Sequence, residues 1–404
     1  MAPLAELALA RGHRVSGSDL VSNAKSERLR KLGAEIFIGH APENLPDDTE
    51  LAVCSSAVAP DNCELLRAIE LGVPHLRRGE FLAKFAAGYR RCVAVTGSHG
   101  KSSVTSLLAV ILRRCGSDPG FMIGAAVAGF PSCAPGDGDI FITEADESDG
   151  THTCLRNALA VIPNVEDDHA WSVGGAAALD ANFRTVAARS ERILYYASPK
   201  CDELFHDHPR AERLPAPPER FAGYSGFQAA NAYLAVRAAT LLGCDPDAAE
   251  RAAADAPQVA RRMTLRAETP DVALIEDYAH HPTEVRAALT LLKDRYPGRH
   301  LRVVFQPHRY ARLERYFSEF AEILAAADSR FILPVFSAWC ERGPVDGAKL
   351  AAACGGAYAD GSWRECAECV VSGLPRPAVV AVLGAGDCEE ILPYLETSIT
   401  GGSK

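Results

Sequence analysis

The chain has 404 residues, 48% of them hydrophobic and 23% charged, with a formal net charge of −10. This length allows two or three domains, and the composition is that of an ordinary globular protein. The negative net charge gives no general attraction to nucleic acid or to an anionic membrane. No apolar run approaches transmembrane length and no export leader is evident, so we expect no membrane partner. The 13 scattered cysteines suggest a reducing compartment, and we expect a cytoplasmic protein.

Residues 1–90 alternate helix-like and strand-like runs, which predicts a parallel sheet covered by helices. We predict strands over 14–19, 35–40 and 51–58, and helices over 3–11, 24–32, 62–71 and 80–87. A nucleotide-binding fold of this type normally begins with a strand and a glycine-rich turn, whereas this chain begins inside the helix that would follow them. We therefore expect a Rossmann-like domain whose first strand is missing. Either the true start lies upstream of Met1 or the protein lacks that strand.

A glycine-rich stretch separates the apolar run 92–95 from a helix-like run over 104–114, and it consists of Thr96, Gly97, Ser98, His99, Gly100, Lys101, Ser102 and Ser103. A strand that ends in such a turn and continues as a helix directs backbone N–H groups at one point, which suits a phosphate. Lys101 adds positive charge for the β- and γ-phosphates, and Ser102 can reach a magnesium ion held by them. A Gly-Ser turn with a solvated lysine is the alternative, because the loop is shorter than the general pattern. The flanking strand and helix favour a nucleoside triphosphate site.

Acidic residues follow the next predicted strand, which starts at Asp139, and they are Glu144, Asp146, Glu147 and Asp149. A magnesium ligand belongs at the carboxyl end of a strand beside a phosphate loop. Glu144 is nearest the strand end and is our candidate, whereas a solvated acidic turn explains the other three equally well. His169 follows a further strand over 158–162, and it is a metal ligand or a capping residue with about equal weight.

The segment 199–218 is rich in Pro, Asp, Glu, Arg and His and predicts an irregular surface stretch, followed by a helix over 227–242. A third α/β unit begins near residue 265, with strands over 272–275, 301–305, 330–336 and 378–383 and helices over 283–295, 311–327, 348–353 and 363–371. Polar clusters at 276–282 and 306–312 end two of these strands, where open parallel sheets bind ligands. We therefore predict an α/β protein with three domains, 1–90, 91–265 and 266–404.

Together these motifs resemble, in order, those of the Mur ligases. The matching segments are 96–103, Glu144–Asp149, Asn164–His169, Arg261-Arg262, Asp277–Pro282 and Phe305–Arg312, with 16–19, 38–40 and 55–57 similar to the family's UDP-binding domain. The resemblance implies a Rossmann-like UDP-substrate domain, a central P-loop ATPase-like domain and a C-terminal Rossmann-like domain. It also implies ATP-dependent joining of L-alanine to UDP-N-acetylmuramate through an acyl phosphate, in peptidoglycan precursor synthesis.

The resemblance assigns roles residue by residue. Lys101 would bind phosphates, Ser102 and Glu144 one Mg²⁺, and His169 a second Mg²⁺. Contacts to the adenine, ribose or phosphate of ATP would come from Asn231, Arg262, Asp277 and Tyr278. The reacting carboxylate, the incoming alanine and the developing phosphate charge would be held by His280, Arg309 and Arg312. The implied partners are small-molecule substrates alone, with the protein a monomer or a homodimer.

The sequence departs from the family pattern within the central domain. The segment between His169 and Asn231 is shorter than expected, and Phe227 and Gln228 stand where the family usually has His-Asn. Two alternatives therefore stay open: a muropeptide-recycling ligase of the same family, and a nucleotide-binding paralogue with impaired catalysis. The segment Phe305–Arg309 argues against the first. Retention of the phosphate-loop lysine and the acidic and basic candidates argues against the second.

Overall fold

The computed structural model describes residues 1–338 and 341–401, except for the side chain of His169. The chain divides into two compact units, 1–257 and 258–404. The described helices are α1 (Ala2–Ala10), α2 (Ala24–Lys31), α3 (Cys63–Glu70), α4 (Arg78–Ala86), α5 (Lys101–Arg114), α6 (Ala176–Ala188), α7 (Pro199–Phe205), α8 (Gly226–Leu241), α9 (Pro246–Ala254), α10 (Pro282–Arg295), α11 (Tyr310–Arg315), α12 (Phe317–Ala325), α13 (Gly347–Cys354), α14 (Trp363–Val371) and α15 (Leu392–Thr400). None of these helices has the length and apolar character needed to cross a membrane.

Strands in the first unit are β1 (Ser16–Asp19), β2 (Glu35–Ile38), β3 (Ala52–Cys54), β4 (His75–Arg77), β5 (Arg91–Val95), β6 (Gly120–Met122), β7 (Cys133–Ala134), β8 (Ile140–Glu144), β9 (Leu159–Ile162), β10 (Ile193–Tyr196), β11 (Ala211–Leu214), β12 (Arg220–Phe221) and β13 (Tyr224–Ser225). Strands in the second unit are β14 (Thr264–Glu268), β15 (Val272–Asp277), β16 (His300–Phe305), β17 (Ser329–Ile332), β18 (Ala357–Tyr358) and β19 (Ala378–Leu383).

The first four strands, of which β4 was not predicted, pair in parallel, but they form two separate sheets, β1–β2 and β3–β4. In a doubly wound order 3-2-1-4-5 these pairs correspond to the strands on either side of strand 1. No residue of these four strands is buried, and residues 1–90 are all described. The prediction of one continuous sheet here was therefore wrong, because no described strand joins the two pairs.

The central sheet of the first unit has seven strands in the order β11-β10-β9-β5-β8-β6-β7. β5 lies between β8 and β9 and pairs with both in parallel. Its apolar residues are buried on both faces, which explains the continuous apolar run in the sequence. α1 shares this core, since Leu4 and Leu7 pack in the same cluster as Phe141. The carboxyl ends of β5, β8 and β9 therefore meet at one edge.

The second unit contains a six-stranded sheet in the order β14-β15-β19-β16-β17-β18. β14 pairs antiparallel with β15, and the remaining neighbours are parallel. β15 and β16 both pair with β19, so the two predicted polar clusters follow strands that end at the same edge. This agrees with the predicted α/β unit, while the domain boundaries near 90 and 265 stay predictions.

Four local predictions were wrong. The strand predicted over 51–58 ends at Cys54. The stretch 199–218 is not irregular: it contains α7 and β11, and Cys201, Leu204 and Phe205 pack into the core beneath β10. Their apolar spacing was masked by the many polar neighbours. The helix predicted over 311–327 is two helices, because the backbone leaves helical geometry at Tyr316 (φ −110°). The strand predicted over 330–336 ends at Ile332.

Candidate active site

The glycine-rich loop begins directly after β5, where the N–H of Thr96 donates to the carbonyl of Val161 (3.0 Å). Gly97 has φ +136°, and a Cβ there would lie 2.4 Å from the carbonyl oxygen of Asn164. Gly100 has φ +86°, and a Cβ there would lie 2.5 Å from Oδ1 of Asn231. Both positions therefore need glycine for its backbone freedom and for its lack of a side chain. Asn231, a predicted ATP contact, lies directly against the loop.

The segment after β9 holds the loop in place. The N–H of Ser98 donates to the carbonyl of Asn164 (3.1 Å), and the N–H of His99 donates to Oδ1 of the same residue (2.8 Å). The hydroxyl of Ser98 accepts from the N–H of Glu166 (2.7 Å), and Nε2 of His99 lies 3.3 Å from Oε2 of Glu166. The sequence analysis identified this segment as a motif, but it did not reveal that Asn164 holds the loop.

Lys101 opens α5, and its ammonium faces back into the loop. Nζ donates to the carbonyls of Gly97 (2.7 Å) and Ser98 (3.2 Å), and to Oε2 of Glu147 (2.9 Å). Burial by itself lowers the pKa of Lys101, but the carboxylates of Glu147, Asp146 and Glu144 outweigh this effect and raise the pKa overall. Lys101 is therefore a charged ammonium, only 11% exposed, at the positive end of a helix.

Glu147 is a buried partner of Lys101 that the sequence did not single out. The prediction weighed it equally as a solvated acidic turn, but its side chain is 1% exposed and paired with Lys101. Burial raises the pKa of Glu147 to about 7, and the ammonium of Lys101 opposes this rise. Three acidic residues follow β8, namely Asp146, Glu147 and Asp149, and the sequence alone carries no signal for which one turns inward.

Ser102 and Glu144 come together as predicted. The Ser102 hydroxyl donates to Oε2 of Glu144 (2.7 Å), which also accepts from the N–H of Gly124 (3.1 Å). A Cβ at Gly124 would lie 2.5 Å from the same oxygen, so any side chain at position 124 would clash with the Glu144 carboxylate. A hydroxyl and a carboxylate oxygen are donors that Mg²⁺ prefers.

Of the remaining loop candidates, Ser103 makes a contact within α5 and the hydroxyl of Thr96 makes none among the described residues, and one further candidate cannot be placed. The carbonyl of Ser103 accepts from the hydroxyl of Ser106 (3.2 Å) in α5. The hydroxyl of Thr96 is buried and has no hydrogen-bond partner among the described residues. His169 lies in a 3₁₀ helix, Asp167–Ser172, but its side chain lies outside the described residues, and its metal role stays a prediction.

In the second unit, Asp277 ends β15 and is buried. Its Oδ2 accepts from the N–H of Met263 (2.7 Å), and its Oδ1 accepts from the N–H of Ala279 (2.8 Å). Burial raises the pKa of Asp277 to about 6, against the opposing charge of Arg262. The guanidinium of Arg262 also lies 5.2 Å from the centre of the Tyr278 ring, so these three ATP-contact candidates form one cluster.

Two of the three substrate candidates flank His308. Nδ1 of His280 lies 3.0 Å from the carbonyl of Tyr278, and the ring of His280 lies 5.4 Å from that of His308. Nη1 of Arg312, a buried residue, lies 3.1 Å from Nδ1 of His308. His308 belongs to a motif noted in the sequence, but it was not among the candidate residues.

Arg309, the third substrate candidate, precedes α11 with φ +69°, and its N–H donates to the carbonyl of Phe336 (2.8 Å). A positive φ is unfavourable for arginine, and such strained residues cluster at functional sites.

Comparison with known proteins adds two family matches. Residues 1–90 match the model described as "Mur ligase family, catalytic domain", and residues 261–386 match "Mur ligase, glutamate ligase domain". A UDP-N-acetylmuramate–L-alanine ligase of Syntrophomonas wolfei is 34% identical over 380 residues, covering 84% of this chain and 80% of that protein. One of Nitratidesulfovibrio vulgaris is 32% identical over 439 residues, covering 97% of this chain and 94% of that protein. The second alignment is longer than this chain, so the relative carries residues that are absent here.

Solved structures show the same fold. A UDP-N-acetylmuramate-alanine ligase of Thermotoga maritima matches with a TM-score of 0.82 and 23% identity, covering 100% of this chain and 97% of that chain. A murein peptide ligase of Psychrobacter arcticus matches with a TM-score of 0.69 and 20% identity, over 100% and 97% of the two chains. The α/β architecture with three domains predicted from the sequence is therefore confirmed as the fold.

Proposed function

Because the chain belongs to the Mur ligase family, we propose that it is an ATP-dependent ligase that joins L-alanine to UDP-N-acetylmuramate in peptidoglycan precursor synthesis. The observation that carries this proposal is the similarity to UDP-N-acetylmuramate–L-alanine ligases along nearly the whole of both chains. The protein would act in the cytoplasm on small molecules, as a monomer or a homodimer.

The phosphate loop supports the first half of the reaction. A carboxylate oxygen of UDP-N-acetylmuramate attacks the γ-phosphorus of ATP, and the bond from that phosphorus to the β–γ bridging oxygen breaks. ADP is released, and the substrate carboxylate has become an acyl phosphate. Backbone N–H groups at the start of α5 and the ammonium of Lys101 stabilise the negative charge that spreads over the phosphoryl oxygens. Since Lys101 now contacts Gly97, Ser98 and Glu147, these contacts also fix where its charge is placed.

The Ser102–Glu144 pair fits a magnesium ion. A hydroxyl beside a carboxylate at the end of β8 is a suitable donor set, and the two oxygens are already 2.7 Å apart. When bound with ATP, Mg²⁺ would neutralise phosphate charge. Ser102 and Glu144 would hold it, with His169 as the proposed ligand of a second ion.

The second half of the reaction needs groups that hold an amine and a carboxylate. The amine of L-alanine attacks the acyl carbon, inorganic phosphate leaves, and the amine loses a proton as the amide forms. We assign His280, Arg309 and Arg312 to the substrates and the leaving phosphate, because cationic and hydrogen-bonding groups suit anionic oxygens. Asn231, Arg262, Asp277 and Tyr278 are assigned to ATP.

The test is ADP release from ATP and Mg²⁺ with UDP-N-acetylmuramate, in the presence and absence of L-alanine. We expect release that depends on both substrates, with one amide product formed per ADP. Release with a muropeptide but not with L-alanine would instead identify a recycling ligase. No release with either acceptor would contradict a ligase, and nucleotide binding without turnover would then indicate the impaired paralogue.

A further inference from the structure

Four polar side chains from separate elements meet near the carboxyl ends of the first strands. Ser18 lies in β1, His40 and Asn44 follow β2, and Glu64 lies in the first turn of α3, the helix after β3. The carboxyl edge of an open α/β sheet is where ligands bind. None of these residues contributes to the phosphate site described above.

Glu64 is the common acceptor of this cluster. Its Oε2 accepts from the hydroxyl of Ser18 (2.6 Å), and its Oε1 accepts from Nδ2 of Asn44 (2.8 Å) and from the N–H of Ala41 (3.2 Å). The side chain is 20% exposed, and its Oε1 also lies 3.7 Å from Nδ1 of His40. Because a carboxylate can only accept, all three neighbours must donate to it.

This arrangement determines where the proton of His40 lies. Nδ1 of His40 is 2.8 Å from Oγ of Ser18. Serine has a single hydroxyl proton, and the short contact with the Glu64 carboxylate uses it. Ser18 Oγ must then accept from His40, so the neutral imidazole carries its proton on Nδ1. Its other nitrogen, Nε2, is left as a hydrogen-bond acceptor.

We propose that Glu64 is a positioning residue that acts through Ser18 to present Nε2 of His40 as an acceptor to the bound UDP-linked substrate. This rests on the proposed function, which supplies that substrate. An acceptor selects a donor, so the group that meets Nε2 is a ribose hydroxyl or the uracil imide N–H, and not a phosphate oxygen. His40 is 25% exposed, so a ligand can reach it.

The first experiment compares Glu64→Gln with Glu43→Gln in the full chain. Glu43 is exposed in the neighbouring 3₁₀ helix, Pro42–Asn44, so its variant loses the same charge without touching the cluster. Glu64→Gln places an amide N–H against a donor, and we expect the KM for UDP-N-acetylmuramate to rise roughly tenfold. The kcat and the KM for ATP should not change. Ser18→Ala should raise the same KM, and Glu43→Gln should raise none.

The second experiment identifies the donor on the ligand. Calorimetry would compare UDP with its 2′-deoxy, 3′-deoxy and 3-methyluracil analogues, on the wild type and on His40→Ala. We expect one analogue to bind the wild type roughly tenfold more weakly than UDP. For His40→Ala, the same analogue and UDP should bind with equal affinity. That pattern assigns the missing donor to Nε2, which a merely structural role of His40 would not produce.

The outcomes separate this inference from the proposed function. Suppose the wild type binds UDP and turns over its substrates. This inference alone is then wrong if the weaker binding of every analogue is the same in wild type and His40→Ala, and also if Glu64→Gln behaves as Glu43→Gln. If the wild type binds no UDP compound, the proposed function fails and this inference fails with it. Thermal unfolding of each variant detects a folding defect. If Glu64→Gln does not fold, Ser18→Ala and the analogue series decide.

Discussion

The phosphate loop and the Glu64 cluster occupy equivalent topological positions, the carboxyl ends of parallel strands, but their surroundings differ. Lys101 and Glu147 form an ion pair that is almost fully buried beside β5 and β8. Glu64 and His40 are 20% and 25% exposed, above strands in which no residue is buried. Removing one member of a buried ion pair leaves an uncompensated charge, whereas water can replace a lost partner at a partly exposed site. Changes at the phosphate loop should therefore affect folding and catalysis together, and changes at the Glu64 cluster mainly binding.

The largest effect is expected for Lys101→Met. Loss of the ammonium should lower kcat by roughly 10²–10³-fold or more, because it removes charge that stabilises the transferring phosphoryl group. The free energy of unfolding should also fall by roughly 3–5 kcal/mol, because the buried Glu147 loses its partner. ADP release and urea denaturation measure the two effects.

The matched control is the double variant Lys101→Met/Glu147→Gln. It removes both charges, so most of the lost free energy of unfolding should return while kcat stays as low as in Lys101→Met. Equal free energies of unfolding for the single and double variants would show that Glu147 without Lys101 is not an unfavourable buried charge. It would mean that the two regions do not differ in the way proposed.

The next effect concerns which carboxylate near the loop serves catalysis. Glu144→Ala should lower ADP release by roughly 10²–10³-fold, because it removes the proposed magnesium ligand beside Ser102. Asp149→Ala is the control: Asp149 pairs instead with Arg78 (3.2 Å), so its loss should cost less than roughly tenfold. Similar losses in both variants would show that Glu144 was the wrong choice.

His152 gives a third prediction, on the pH dependence of stability. Its ring is buried edge-on against Phe183, and neither ring nitrogen has a hydrogen-bond partner among the described residues. Burial, with a smaller contribution from the charge of Lys101, lowers the pKa of His152 to about 4. The nearby carboxylates of Asp146 and Asp149 oppose this lowering. The unfolded chain binds this proton near pH 6.5, so between pH 4 and 6.5 the unfolded state holds more protons. The free energy of unfolding therefore falls as pH falls through this window, by about 3 kcal/mol in total.

His152→Phe should remove that dependence and stabilise the protein at pH 5. Glu147 contributes the opposite slope, since its pKa of about 7 lies above that of the unfolded state. The difference between wild type and variant, measured by urea denaturation from pH 4.5 to 7.5, isolates His152. A difference that does not change with pH would mean that the ring finds a proton acceptor when charged.

The fold and the core of the site could be predicted because they depend on local patterns. The apolar run before Gly97 and the periodic run after Ser103 sufficed to place a strand, a phosphate loop and a helix. Burial of Glu147 could not be predicted, since it depends on how the loop after β8 turns relative to α5. The roles of Asn164 and Glu64 also depend on contacts with residues far away in sequence. The helix α7 was missed because its few apolar residues bury a short face among charged neighbours.

The smallest effect tests whether the geometry of the Glu64 cluster depends on the helix that carries it. Asn62 caps α3, and its Oδ1 accepts from the N–H of Glu64 (3.0 Å) and of Leu65 (3.2 Å). Asn62→Ala should lower the free energy of unfolding by about 1 kcal/mol and, by loosening the turn that holds Glu64, raise the KM for UDP-N-acetylmuramate. Asn23→Ala removes the equivalent cap of α2, a helix that contributes nothing to the cluster, so it should cost similar stability without changing that KM. If both variants raise the KM equally, the site responds to the stability of the whole region, and Glu64 has no specific positioning role.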